Sequence, residues 1–391
     1  MKKRAAAVIL GLACVAFGAV YVQAAGTPAK EPLWAHGFLT PPARGDVWGR
    51  QGPPPGRTLR PNEDPEQQTR PRHVDGSSAT YSLLDIRDGQ NVIDWFPGDH
   101  PRMPDVVKHG PARMGKMMRG CGSCHLPNGK GRPENAQPAA LPVEYIIRQL
   151  QDFRYGFRRS ADWRKPNTYT MMNLAMAMTD EEMRQAAEYF AAIKWNTPWV
   201  RVVETDLVPK TRIAGNLFIA AAKEWTEPIA GRIIEVPEDN EQAELNRNPH
   251  SGFVAYVPVG SIAKGEDLVS TGGATVVGNQ IIRKTLACGS CHGPDLMGID
   301  DVPPIAGRSP SYTARQLYDF QQGTRNGVQA QLMKPVVANL TEDDIVAITA
   351  YVASLVPRDV RQPAPPLPAT RRPVTSTATR YPLKSPSLSS R

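Results

Sequence analysis

The sequence predicts an all-α protein in which one small helical domain occurs twice in tandem, with irregular or short-strand segments before and between the copies. Three observations carry that expectation. The motif Cys121-Gly-Ser-Cys124-His125 recurs as Cys288-Gly-Ser-Cys291-His292, 288 − 121 = 167 residues further on. The same register extends well past the motif: Tyr145, Arg148, Gln149, Leu150, Asp152 and Phe153 recur as Tyr312, Arg315, Gln316, Leu317, Asp319 and Phe320, and Gly156 and Arg158 as Gly323 and Arg325. A match of that length marks a duplicated structural unit. Each copy then closes on an apolar stripe with helical spacing, Met183, Ala186, Phe190 and Ile193 in the first and Ile345, Ile348, Val352 and Leu355 in the second. Thr179 with Glu182 is a capping box ahead of the first stripe, and Thr341 with Asp344 a weaker one ahead of the second. Each copy therefore reads as a short helix at the Cys motif, a loop, a middle helix, a Met-bearing loop and a terminal helix. The first copy carries five extra residues around Ser160–Thr168.

Residues 1–24 read as a secretory signal peptide, with Lys2, Lys3 and Arg4 ahead of an apolar run and Val22-Gln23-Ala24 at the cleavage point. Left uncleaved, the run is about long enough to anchor the chain in a bilayer. Cys14 within it reads as a small apolar residue lost with the signal, lipidation being the poorer alternative. Residues 25–100 form a Pro-rich extension holding Trp34, Trp48 and Trp95; it is too irregular to fold alone and is expected to lie along the first repeat or to face a partner. The repeats occupy 101–195 and 261–357. Between them, 196–260 contains strand-like runs at Thr197–Val203, Gly231–Val236 and Gly252–Val257, expected to brace one domain on the other. The tail, 358–391, is basic and rich in Pro, Ser and Thr, the composition of a disordered extension.

The formal charge of +8 misleads about the folded body, since the signal contributes three basic residues and the tail seven against one acid. What remains is near neutral, so charge gives no argument for nucleic acid.

Two thiols spaced by two residues can each form a thioether with one vinyl group of a haem, and the His that follows is then held beneath the iron. The motif thus predicts covalent haem c, twice, with Cys121, Cys124, Cys288 and Cys291 as attachment points and His125 and His292 as proximal iron ligands. Zinc sites and redox pairs also use CxxC. Paired zinc motifs, however, usually lie about 15–20 residues apart, and a redox pair has no need of the repeated His. With Cys14 removed, no thiol remains outside the two motifs. An oxidising compartment, the bacterial periplasm, is expected.

A second axial ligand is expected on the opposite face of each iron. Met171 and Met333 occupy the same place in both repeats, just ahead of the terminal helix. A thioether is soft and neutral and favours the ferrous state. Met333 is the only Met after Met297, whereas Met171 sits in a crowd in which Met172 is the chief competitor. His36, His73, His100, His109 and His250 recur at no matching position; of these, His100 and His109 stand nearest the first motif as alternative ligands.

The succession CxxCH, Pro-x-aliphatic-Ala-Gly, Tyr-x-x-x-Gln-Leu-x-x-Phe, Gly-x-Arg, Met and Leu-Thr-Glu-Asp-Asp-Ile resembles the tandem dihaem class I cytochromes c of the c-four type, over about Pro101–Trp195 and Ile262–Val356. The resemblance implies two class I cytochrome c domains carrying single electrons between a donor, a quinol or dehydrogenase, and an acceptor such as a membrane oxidase, with no bond-making catalysis. It also implies that the carbonyl of Pro303 orients His292. The first repeat has Ala136 there, so a differently built proximal loop and unequal haem potentials are expected. The competing reading is a dihaem peroxidase, which needs an open sixth position that paired Met ligands would close.

Overall fold

The computed structural model describes residues 32–34, 56–113, 119–162, 165–214, 217–221 and 225–358. The expected signal segment with Cys14, His36, Trp48 and the tail after Arg358 lie outside the described residues. No described helix is long and apolar enough to cross a membrane.

Residues 56–100 contain two short helices, α1 (Pro65–Thr69) and α2 (Leu83–Ile86), the second capped by a reciprocal Ser82–Asp85 pair. Val74, Leu83, Ile86 and Trp95 form a small apolar cluster of their own. The segment meets the first repeat through Gly120 N to Gly89 O at 2.8 Å. It does not lie along that repeat alone: Trp95 Nε1 donates to Asn246 O at 2.8 Å, Arg72 Nε to Asn246 Oδ1 at 2.6 Å, and Phe96 stacks on His250 at 3.7 Å. The long inter-repeat segment supplies the groups that this extension lacks for folding by itself. Trp34, 2% exposed, instead meets Tyr318 of the second repeat edge-on at 5.4 Å.

The first repeat contains α3 (Asp105–Lys108), α4 (Gly122–His125), α5 (Val143–Arg154), α6 (Pro166–Ala177) and α7 (Asp180–Ala192). The capping box at Thr179 makes both of its bonds, and Met183, Ala186 and Phe190 bury the predicted stripe. Met171 lies within helix α6 rather than on a loop. Pro166 pre-sets the first turn, and the Met, Leu and Ala that follow are good helix formers, so the inserted residues become a helix start.

Three strands of the inter-repeat segment begin within the three strand-like runs, and four more, at 207–228, fall between the first run and the second, where none was expected. β1 (Val200–Glu204), β7 (Phe253–Val257) and β6 (Ile234–Pro237) form a sheet in the order β1-β7-β6. β1 runs parallel to β7, pairing Val200 with Phe253, and β6 runs antiparallel to it. The small antiparallel pairs β2 (Leu207–Pro209) with β5 (Thr226–Pro228), and β3 (Thr211–Ala214) with β4 (Leu217–Ala220), flank it. Every residue of β6 is buried, as expected for a strand enclosed on both faces. Its Glu235 accepts from Ser309 Oγ at 2.8 Å, tying the sheet to the second repeat.

The second repeat contains α8 (Ser261–Thr271), the hairpin β8 (Thr275–Val277) and β9 (Gln280–Ile282), α9 (Gly289–His292), α10 (Pro310–Gln321), a 3₁₀ turn Val328–Leu332, α11 (Lys334–Val337) and α12 (Glu342–Ser354). Helices α8 and α12 cross at backbone contact. A Cβ on Gly265 would stand 2.0 Å from Ala347 O, so this position admits only hydrogen, which outweighs glycine's cost of about 1 kcal/mol in a helix. The Thr341–Asp344 box is complete, not weak. Its carboxylate also takes Lys264 Nζ at 2.8 Å and Lys284 Nζ, which pins α8 and the motif-leading segment to the start of α12.

Candidate haem sites

A CxxCH sequence closes one short helical turn, so both thiols and the imidazole come from α4 in the first site and α9 in the second. In the first, His125 N donates to Cys121 O at 3.0 Å; in the second, His292 N donates to Cys288 O at 3.0 Å. His125 Nδ1 then donates to Ala136 O at 2.8 Å, and His292 Nδ1 to Pro303 O at 2.8 Å. The expectation of a differently built first proximal loop is therefore overturned. The acceptor is a main-chain carbonyl, which Ala136 offers as well as Pro303. In both sites this bond leaves Nε2 as the free ring nitrogen, the arrangement that orients a metal-ligating imidazole. Burial lowers the pKa of both imidazoles, which keeps them neutral. The Cys121 thiol is pushed up to about 12 and that of Cys288 to about 11, both chiefly by burial.

The first site opens into a cavity of about 370 Å³ whose lining includes Cys121, Cys124, His125 and Met171. Its apolar walls come from Ile146 and Leu150 of α5, Leu174 of α6 and Phe190 of α7. Met172 points elsewhere, 2% exposed in the core and absent from the cavity wall, although Met178 also reaches it. None of His73, His100, His109 or His250 lines the cavity. His100 is held by Asp94 and Pro101, and His109 Nδ1 donates to Gln90 O at 2.9 Å. Thiols and imidazole on one short turn, a thioether among the lining residues, apolar walls and a cationic rim are a donor set that fits haem c.

In the second site Cys288 is half-buried and Cys291 exposed. Met333 sits where the 3₁₀ turn passes into α11, half-buried and packed on the core that also holds Cys288 and Leu317. Val328 and Leu332 of the 3₁₀ turn are more than half exposed, at 86% and 70%, as is Leu286 ahead of Cys288, at 54%.

Between the two repeats lies a network that the motif search did not assign. Arg158 donates to Gln149 Oε1 at 3.0 Å within its own repeat, and across to Tyr312 Oη at 3.0 Å and Gln316 Oε1 at 2.7 Å. Arg325 mirrors it, donating to Gln316 Oε1 at 3.2 Å and across to Tyr145 Oη and Gln149 Oε1, both at 2.7 Å. The two backbones pair antiparallel at these arginines, and each guanidinium lies over a ring of its own repeat, Phe153 at 4.6 Å and Phe320 at 4.3 Å. The signal was present in the sequence: Tyr, Gln and Arg recur at identical offsets in both copies.

The comparisons agree with this geometry. The cytochrome c family model matches twice, at 115–194 and 274–356. Cytochrome c-554(548) of Halomonas halodenitrificans is 31% identical over 96 residues, 24% of this chain and 96% of that protein. Cytochrome c4 of Pseudomonas aeruginosa is 37% identical over 92 residues, 23% of this chain and 46% of the relative. The thiosulfate dehydrogenase electron acceptor of Stutzerimonas stutzeri is 28% identical over 137 residues, 35% of this chain and 61% of the relative. The chain thus spans about half the length of the cytochrome c4 relative and 61% of the thiosulfate dehydrogenase electron acceptor. It belongs to the cytochrome c family, as a tandem dihaem class I cytochrome of the c-four type. Two covalently bound haem c groups and electron transfer follow from that membership.

Proposed function

We propose that this chain is a periplasmic carrier that accepts single electrons from a quinol or a dehydrogenase and delivers them to an acceptor such as a terminal oxidase. The relative named as an electron acceptor of thiosulfate dehydrogenase supports a dehydrogenase as donor. Bound haem supplies reversible one-electron exchange at iron. Cys121 and Cys124 would hold the first haem through thioethers, with His125 and Met171 as its iron ligands, and Cys288, Cys291, His292 and Met333 would take the same roles at the second. Ala136 and Pro303 fix the two imidazoles through their carbonyls. The observation that carries the reading is a largely apolar cavity lined by both His125 and Met171. Such a wall excludes water and keeps the ligand set fixed while charge changes, which suits transfer better than bond-making chemistry.

Met333→His tests the ligand assignment. Imidazole in place of thioether stabilises the oxidised iron, so the second site's midpoint is expected to fall while both haems stay attached. An unchanged redox titration would place the second distal ligand elsewhere.

A further inference from the structure

One guanidinium touches both proximal loops. Arg308 is 4% exposed, lies over the Trp195 ring at 4.5 Å, and donates to three main-chain carbonyls. Its Nε reaches Pro304 O at 2.8 Å in its own repeat; its Nη1 reaches Gln137 O at 2.5 Å and its Nη2 Ala139 O at 3.0 Å in the other. Those acceptors stand beside the two carbonyls that hold the imidazoles. Gln137 follows Ala136, whose O accepts from His125 Nδ1, and Pro304 follows Pro303, whose O accepts from His292 Nδ1. Two further bonds tie the same stretches: Ser309 N donates to Gln137 Oε1 at 2.7 Å, and Trp195 Nε1 to Ala306 O at 3.0 Å. The arrangement is not reciprocated. Tyr145 matches Tyr312 in the repeat register, so the counterpart of Arg308 is Leu141, which has no polar group to offer.

Stability alone is a weak reason for this residue. A buried cation held by neutral groups is costly, and burial pushes the pKa of Arg308 down to about 10. Leucine, which fills the matching place in the first repeat, would avoid that cost. What leucine cannot do is bond carbonyls of two separate loops at once, for which the planar fork of arginine is suited. Gln137 is pinned at both its carbonyl and its side chain, which leaves the neighbouring Ala136 O little freedom to turn. The ring of Pro304 locks its φ, so holding its carbonyl also restrains the Pro303 peptide. We propose that Arg308 is a positioning residue shared by the two sites, aiming both proximal carbonyls and thereby keeping both imidazoles in the orientation that iron ligation requires. The bond from Nδ1 to its acceptor sets the orientation and basicity of a ligating imidazole, so one side chain bears on both.

The inference rests on His125 and His292 being the proximal ligands, and the test separates the two. In the reduced holoprotein carrying isotope-labelled histidine, solvent exchange of each ring Nδ1 proton is read by NMR beside that of the buried main-chain amides of α7 and α12. Arg308→Leu is expected to speed exchange of both ring protons roughly tenfold more than that of those amides, the size of effect that partners of ligating histidines carry. Arg308→Lys keeps the charge but not the fork, and is expected to speed both by about threefold on the same scale. The lysine variant decides the matter if the leucine variant does not fold. A merely structural arginine would speed ring protons and amides together. That result, or a change at only one histidine, would overturn the proposal. The ligand reading fails on a different signal. The carbon-bound ring protons of an axial imidazole lie over the porphyrin and are shifted far upfield, and a histidine without that shift in the unaltered protein is not a ligand. The Arg308 comparison still decides whether one residue holds both loops, because it is read on the Nδ1–H bond itself.

Discussion

Replacing Cys121 and Cys124 together by serine is expected to halve the covalent haem content, from two groups per chain to one. Serine keeps the shape of the turn but cannot form a thioether, and the half-buried His125 then has only its own coordination to retain the group. The measurement is pyridine haemochrome per polypeptide after denaturing electrophoresis, which leaves thioether-bound haem in place and strips the rest. Two groups retained per chain would refute the attachment assignment. The second site should be unaffected, because α9 and the Pro303 carbonyl belong to the other repeat.

Arg325→Met is expected to be the most destabilising single change at the interface between the repeats. Its guanidinium is 5% exposed and satisfies Tyr145, Gln149 and Gln316 at once. Methionine fills most of the volume but leaves the Tyr145 hydroxyl without its partner in a buried place. Hydrogen bonds to charged groups contribute about 1.5–3 kcal/mol each, so a loss of roughly 3 kcal/mol is expected after partial compensation by Arg158. Arg325→Lys should recover only part of it, since an ammonium cannot reproduce the planar fork that reaches two residues of the other repeat. Denaturant unfolding followed through haem absorbance reads both variants; wild-type midpoints would show that the crossed network adds no stability.

Much of this molecule was legible because it is written twice. The register fixed the helices, the capping boxes and the eight residues proposed to hold the haems, because both copies present them in the same order. Where the copies diverge, the sequence was a poorer guide. The insertion around Ser160–Thr168 hid the start of α6, and so Met171 was expected on a loop. The change from Pro303 to Ala136 looked consequential because side chains are what a sequence displays, whereas the working group is a carbonyl. The extension at 56–100 gave no periodic signal because its partners, Asn246 and His250, lie some 150 residues away and no local pattern encodes them. The crossed arginines were visible as repeated letters; their function appears only when the two copies face each other.

Reductive titration of the oxidised protein, with and without added cyanide at neutral pH, tests the central claim most directly. Two iron centres, each closed by imidazole below and thioether above, should take up two electrons per chain in one-electron steps, and cyanide should leave the oxidised spectrum unchanged over the time of the experiment. Fewer than two electrons per chain, or rapid cyanide binding at either iron, would contradict it.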